Sequence, residues 1–116
     1  MTKVIFTAVA LIALLSSSNA ATIYVPDDHA AIQDAIVSAS NGDIIVVRAG
    51  TYVENLDFLG KAVTLRSESG PEVTVIDGNR TGSVVLFENG EGPDSVIDGF
   101  TLTNGSGTHD SGTLYG

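Results

Sequence analysis

Gly70-Pro71-Glu72-Val73-Thr74-Val75-Ile76-Asp77-Gly78 is followed, after a short interval, by Gly92-Pro93-Asp94-Ser95-Val96-Ile97-Asp98-Gly99. The second phrase is one residue shorter, yet Val75-Ile76-Asp77-Gly78 and Val96-Ile97-Asp98-Gly99 stand 21 positions apart. The same spacing carries Val63 onto Val84, and Ile44 onto Leu65 and then Leu86. Short β-type runs recurring every 20 to 25 residues predict a parallel solenoid, each coil burying its apolar face on the next. On that reading Ile44, Leu65 and Leu86 stack into one interior row.

Outward from this repeat, residues 44–47, 53–58, 62–65, 73–76, 84–87, 96–97 and 100–102 read as strands. Gly60-Lys61, Gly70-Pro71, Asp77-Gly78-Asn79, Asn89-Gly90 and Gly92-Pro93 separate them in the vocabulary of turns. A sandwich or small barrel also has six or seven short strands, but the repeat favours parallel coils over either. Residues 22–25 form an earlier β-prone run stopped by Pro26. From about Ala30 the period changes: Ile32, Ala35, Ile36 and Ala39 recur at i, i+3, i+4 and i+7, predicting an amphipathic helix of about ten residues. Asp27 and Asp28 are candidate N-caps, Asp34 suits the first turn, and Asn41-Gly42 is the stop signal. A helix there would cap the open end of the stack and cover unpaired strand edges.

The 116-residue chain carries a formal net charge of −9 and no cysteine. Lys3, an apolar run of twelve residues over 4–15, and Ser18-Asn19-Ala20 together predict a signal peptide over 1–20. Twelve residues are too few to cross a bilayer, which needs about 20. Cleavage would leave 96 residues, with four basic side chains against 14 acidic ones. The expected location is therefore secreted, periplasmic or cell-surface, with contact to membrane only through the signal peptide. Such acidity makes nucleic acid and anionic lipid poor partners. The domain plan is a leader over 1–20, a cap over 21–43, coils over 44–104 and a Gly-rich polar tail over 105–116. With just under three periods and no second cap, the chain is expected to be the N-terminal part of a longer solenoid, or a shortened one. Self-association through the uncapped last coil is a further expectation.

Ala31-Ile32-Gln33-Asp34-Ala35-Ile36, then Asn41-Gly42-Asp43-Ile44-Ile45-Val46-Val47, then Ala49-Gly50-Thr51-Tyr52-Val53-Glu54-Asn55 resembles the opening of right-handed parallel β-helix proteins of the pectin-lyase-like superfamily. Gly60-Lys61-Ala62-Val63-Thr64-Leu65 and Val75-Ile76-Asp77-Gly78 extend the likeness, which covers about residues 22 to 104. It implies an all-β fold, a right-handed parallel β-helix of about three coils with an N-terminal capping α-helix. It also implies extracellular carbohydrate as a partner. Two positions depart from the pattern: Ala31 stands where relatives often have a capping Thr, and Ala49 where Pro commonly precedes Gly-Thr-Tyr. Enzymes of that superfamily carry their catalytic clusters on coils further along, so no catalytic residue transfers to this chain.

Candidate chemistry is sparse. Asp77 and Asp98 are expected to stack about 4.8 Å apart in successive coils. Such a pair is a candidate calcium site, against the plainer reading that Asp-Gly only makes a turn. No other cofactor is expected. His109-Asp110-Ser111 has the residue types of a hydrolytic triad, but adjacent residues cannot converge as one needs. His29 has no second histidine at metal-ligand spacing and is expected to be exposed. Asn79-Arg80-Thr81 and Asn104-Gly105-Ser106 match the glycosylation acceptor pattern. Asn55, Asn89 and Asn104 are expected to fill turns. Arg48, Arg66 and Arg80 could line a groove for an acidic polysaccharide, which the net charge disfavours.

The reading is an exported β-helix module, non-catalytic, structural or carbohydrate-binding. The alternative is the N-terminal portion of a polysaccharide-active enzyme of the pectate lyase, polygalacturonase or pectin esterase type. A flat-faced binder of ice or a crystalline polymer would need Thr at alternate positions on every coil. Thr101 and Thr103 alternate, while Thr64 and Thr74 do not continue the rank.

Overall fold

The structure, a computed structural model, describes residues 20–106. Residues 1–19, where a signal peptide is expected, and residues 107–116, with His109, Asp110 and Ser111, lie outside the described residues. In chain order the elements are β1 (Thr22–Val25), α1 (Ile32–Ser38), β2 (Ile44–Val47), β3 (Gly50–Val53), β4 (Leu56–Asp57), β5 (Thr64–Ser67), β6 (Thr74–Asp77), β7 (Val85–Leu86), β8 (Val96–Asp98) and β9 (Thr101–Thr103). Every pairing among them is parallel. The first sheet runs β1-β2-β5-β8, the second β3-β6-β9 and the third β4-β7. The chain therefore winds through three sheets in turn, a parallel β-solenoid of about three turns with one short helix.

Strand side chains alternate between faces, so one residue in two points into the stack. Ile23, Ile45, Leu65 and Ile97 are successive partners in the first sheet. Tyr52, Ile76 and Leu102 are partners in the second, and Leu56 and Val85 in the third. These rows, with Phe58, Val63 and Val84 beside them, form the core. Ile45, Leu65 and Ile76 are completely buried, whereas Ile97 and Leu102, in the last described coil, are only partly covered.

The interior rows differ from those expected. Ile44 pairs with Thr64, Leu65 pairs with Ile45, and Leu86 lies on the third sheet beside Asp57. Ile44, Leu65 and Leu86 thus share no row, which corrects the reading of a uniform 21-residue coil. The winding from β2 to β5 takes 20 residues, β3 to β6 takes 24, β4 to β7 takes 29, and β5 to β8 takes 32. Hydrogen-bond ladders fix the strands in register, and the turns absorb the variable length between them. The repeated Val-Ile-Asp-Gly phrase is a strand-plus-turn unit used once in the second sheet and once in the first.

Helix α1 is shorter than expected, and its ends are held from a distance. Ala31 is the N-cap residue and offers no side-chain oxygen. Two amides left without intrahelical partners are met instead by Glu54, whose carboxylate accepts from the backbone of Ile32 (2.8 Å) and Gln33 (2.9 Å). Neither Asp27 nor Asp28 caps the helix; Asp28 accepts from the Tyr24 amide and closes the turn after β1. At the other end the Lys61 ammonium donates to the carbonyls of Ile36, Val37 and Ala39 at 2.7–2.9 Å. The helix ends where Ala39 turns extended (φ −75°, ψ 156°), ahead of Asn41-Gly42, which therefore does not close it. The Gln33 side chain bonds both the amide (2.8 Å) and the carbonyl (3.0 Å) of Asp57. It supplies the edge of β4 with the two bonds a neighbouring strand would make, so the helix seals this end of the third sheet.

Further differences have local causes. The strand expected over 53–58 breaks at Glu54 and Asn55 because Asn55 turns its amide onto the carbonyls of Gly78 (3.2 Å) and Ser83 (3.0 Å). The strand expected over 84–87 shortens to β7. In the turn between β8 and β9, Gly99 sits at φ +84°, and a Cβ there would meet Ser67 Oγ at 2.5 Å, so the coil contact requires glycine.

Asp43 is the buried acid that joins the cap to the first full coil. Its carboxylate accepts from the amides of Ser40 (2.8 Å) and Ala21 (2.9 Å). Those two bonds, the Ser40 amide foremost, hold its pKa below the ordinary Asp value against the opposing effect of burial. A carboxyl with a depressed folded-state pKa stabilises the fold above its unfolded value and ceases to do so as pH falls through the folded one. The thermal midpoint is therefore expected to be level down to about pH 5 and to fall below about pH 4. Asp43→Asn is expected to lower the midpoint at neutral pH and to flatten that acid limb in circular-dichroism melts. An acid limb equally steep in the variant would remove Asp43 from the account.

Candidate functional site

The outer faces of the sheets are where this chain can meet a partner. On the second sheet the alternation that points Tyr52, Ile76 and Leu102 inward turns Thr51 and Val53, Val75 and Asp77, and Thr101 and Thr103 outward. Their register gives two ranks across three coils, Thr51–Val75–Thr101 and Val53–Asp77–Thr103. Adjacent members of a rank lie one strand spacing apart, about 4.8 Å. Thr51, Val53 and Thr101 are exposed and the other three are half-buried. Five of the six side chains are β-branched, which keeps the face level and its rotamers few. The Thr101 hydroxyl donates to the Pro71 carbonyl at 2.7 Å, which fixes its orientation.

Asp77 anchors one edge of this face. Its Oδ1 accepts from the Asn79 amide (2.8 Å) and from Asn104 Nδ2 (3.0 Å). The Asn79 amide first, then the Asn104 side chain, hold its carboxyl below the usual Asp range. Asp98 is not beside it. Asp77 partners Val53 and Thr103 in the second sheet, and Asp98 partners Arg66 in the first. The stacked carboxylate pair is thus corrected: the 32-residue winding moves Asp98 to another sheet. Among the described residues, no three His, Asp or Glu side chains are grouped to hold a metal ion.

The outer face of the first sheet has a different character. Arg48 lies 5.0 Å over the Tyr24 ring and bridges Asp27 (2.6 Å) and Glu68 (2.8 Å). Asp27, Arg48 and Glu68 follow β1, β2 and β5, so charges of alternating sign run along one edge of the stack. The hydrogen bonds that Arg48 donates to Asp27 and then to Glu68 push its pKa further up. Each pair is solvent-exposed, so screening by water and salt leaves it little weight in the stability of the fold. Arg66 belongs to this sheet and Arg80 to the turn after β6, so the three arginines do not line a common groove. His29 is half-buried, with Nε2 at 3.1 Å from Ser38 Oγ.

A recess of about 400 Å³ opens beside β8, lined by Phe87, Glu91, Gly92, Ser95, Val96 and Ile97. The loop between β7 and β8 forms one wall. It is tied to the previous coil by Glu91, which accepts from the amides of Gly60 and Asn89 at 2.7 Å each. Burial pushes the Glu91 carboxyl up, but these amides outweigh it and the group titrates below its ordinary value.

Comparison of the chain with protein-family models, curated proteins and solved structures returns no match. The outward ranks of the second sheet escape a reading based on a uniform coil, which compares Thr101 and Thr103 with Thr64 and Thr74. The signal lies in three tripeptides of one pattern, Thr51-Tyr52-Val53, Val75-Ile76-Asp77 and Thr101-Leu102-Thr103. Each is outward, inward, outward, with a large apolar residue at its centre.

Proposed function

We propose that the chain is an exported, non-catalytic β-helix module of the pectin-lyase-like kind that holds an extended, uncharged polysaccharide against its second sheet. The observation that carries this reading is the pair of in-register ranks Thr51–Val75–Thr101 and Val53–Asp77–Thr103. Evenly spaced methyl groups suit the apolar faces of sugar rings, and the Thr hydroxyls and the Asp77 carboxylate suit ring hydroxyls. A face built on strands is ordered before binding, so little conformational entropy is lost when a chain lies on it. The acidic balance of the protein selects against uronic-acid polymers and in favour of neutral ones such as glucans or chitin.

Retention on insoluble neutral polysaccharides, set beside retention on polygalacturonate, tests this directly. The protein is expected on the neutral polymers only. Val75→Lys places a flexible charge at the centre of the face and is expected to abolish retention, while Arg66→Gln on the first sheet leaves it unchanged. Absence from every neutral polymer, or retention untouched by Val75→Lys, would sink the reading.

A further inference from the structure

The described chain contains three Asn-Gly pairs, Asn41-Gly42, Asn89-Gly90 and Asn104-Gly105. In such a pair the glycine nitrogen can attack the asparagine side-chain carbonyl carbon. A new C–N bond forms, ammonia leaves, and the cyclic imide takes up one water to give aspartate or its β-linked isomer. The step needs a free glycine amide and a main chain able to rotate toward the side chain.

The fold treats the three pairs differently. At Asn41 both reacting groups are clamped: the Gly42 amide donates to the Ala62 carbonyl at 2.7 Å, and Asn41 Oδ1 accepts from the Ala62 amide at 2.9 Å. At Asn104 the side chain is held by Asp77, and its own carbonyl accepts from the Arg80 amide at 2.7 Å. Asn89 is also held, by Asp57 and Glu91, but it lies exposed in the loop between β7 and β8, outside every ladder, whereas Asn104 and Gly105 are half-buried. Gly90 has φ +84° and open space around it, and its amide has no acceptor among the described residues.

We propose that Asn89-Gly90 is a site of spontaneous deamidation, which exchanges a hydrogen bond between coils for a repulsion between carboxylates. Asn89 Nδ2 donates to Asp57 Oδ1 at 3.2 Å, and the Asn89 amide donates to Glu91, which also holds Gly60. An aspartate at position 89 faces Asp57 with no proton to share and stands beside Glu91. The nearest cation in sequence to Gly60, Lys61, is committed to the helix carbonyls and offers no compensation. Like charges at this distance disfavour the native arrangement. The loop carrying Glu91, Gly92 and Ser95 is released, and the recess against Phe87 and Ile97 widens.

Intact protein is incubated at mildly alkaline pH, folded in one arm and in denaturant in the other, and peptide mass mapping follows conversion at each asparagine. Folding is expected to slow Asn41 roughly tenfold or more, the effect of a barrier raised by about 1.4 kcal/mol, and to leave Asn89 near its denatured rate. Protection of Asn89 as strong as that of Asn41 would overturn the proposal. The consequence is read separately with Asn89→Asp and Asn89→Ala. Alanine only deletes the hydrogen bond, so Asn89→Asp is expected to melt lower than Asn89→Ala and to exchange amides faster over residues 88–95. Equal midpoints for the two variants would overturn the repulsion.

Discussion

Phe58→Ala is expected to remove about 3–5 kcal/mol of stability, since Phe58 is the largest fully buried side chain among the described residues. Phe58 is completely buried, and its ring centroid lies 4.5 Å from that of Phe87 in the following coil, at an interplanar angle of 42°. It stands where the third sheet ends and the chain turns back toward β5, so its removal leaves a cavity that two coils and the helix would have to close. A small domain holds only about 5–15 kcal/mol in total. The variant is therefore expected to be largely unfolded at modest urea, with Phe58→Leu recovering most of the loss. An unfolding free energy from the urea transition within about 1 kcal/mol of the parent would show that the coils repack around the gap and that this contact is not central.

The second large effect concerns the two side chains that hold the cap. Glu54→Ala removes the acceptor of two helix amides, at a cost of about 1 kcal/mol. Lys61→Met keeps most of the aliphatic stem but removes a cation from three helix carbonyls, about 2 kcal/mol more. In a domain of this size the double variant is expected to melt about 12–24 °C lower. Amides of Ala35 and Ile36 are expected to exchange faster, while those of Leu65 and Ile76 keep most of their protection relative to the global midpoint. If the single variants and the double variant all melt with the parent, the helix ends are satisfied by water and the carboxylate and ammonium are ornaments.

Local features of this fold were legible in the sequence because their causes are local. Alternation around Ile76, the spacing of Ile32, Ala35 and Ile36, and the Gly and Asn turns each depend on a few neighbouring residues. Register does not. It depends on how much chain each turn consumes, and residues 78–84 and 87–95 consume more than the repeated phrase suggests. A slip of one residue exchanges the two faces of a strand, which is why the repeat points to Ile44 as interior while the ladder places Ile45 there. A longer slip moved Asp98 and Leu86 to other sheets. The helix cap was illegible for a related reason: Ala31 offers no side-chain oxygen, and the carboxylate that meets the first amides comes from Glu54, just past β3. On the candidate face Thr101 and Thr103 were visible as an alternating pair, but their neighbours could be named only once the ladders were known.

The partners that complete α1 are synthesised well after it. Glu54, Asp57 and Lys61 lie 21 to 25 positions downstream of the groups they bind. A seven-residue helix has no stability alone, since isolated helices shorter than about 12–15 residues are marginal in water. During vectorial synthesis this segment therefore leaves the ribosome before anything can hold it. At about 5–20 residues per second it waits on the order of seconds for the first winding to arrive. The lid of the stack is closed by the layer beneath it, and birth order and docking order run in opposite directions.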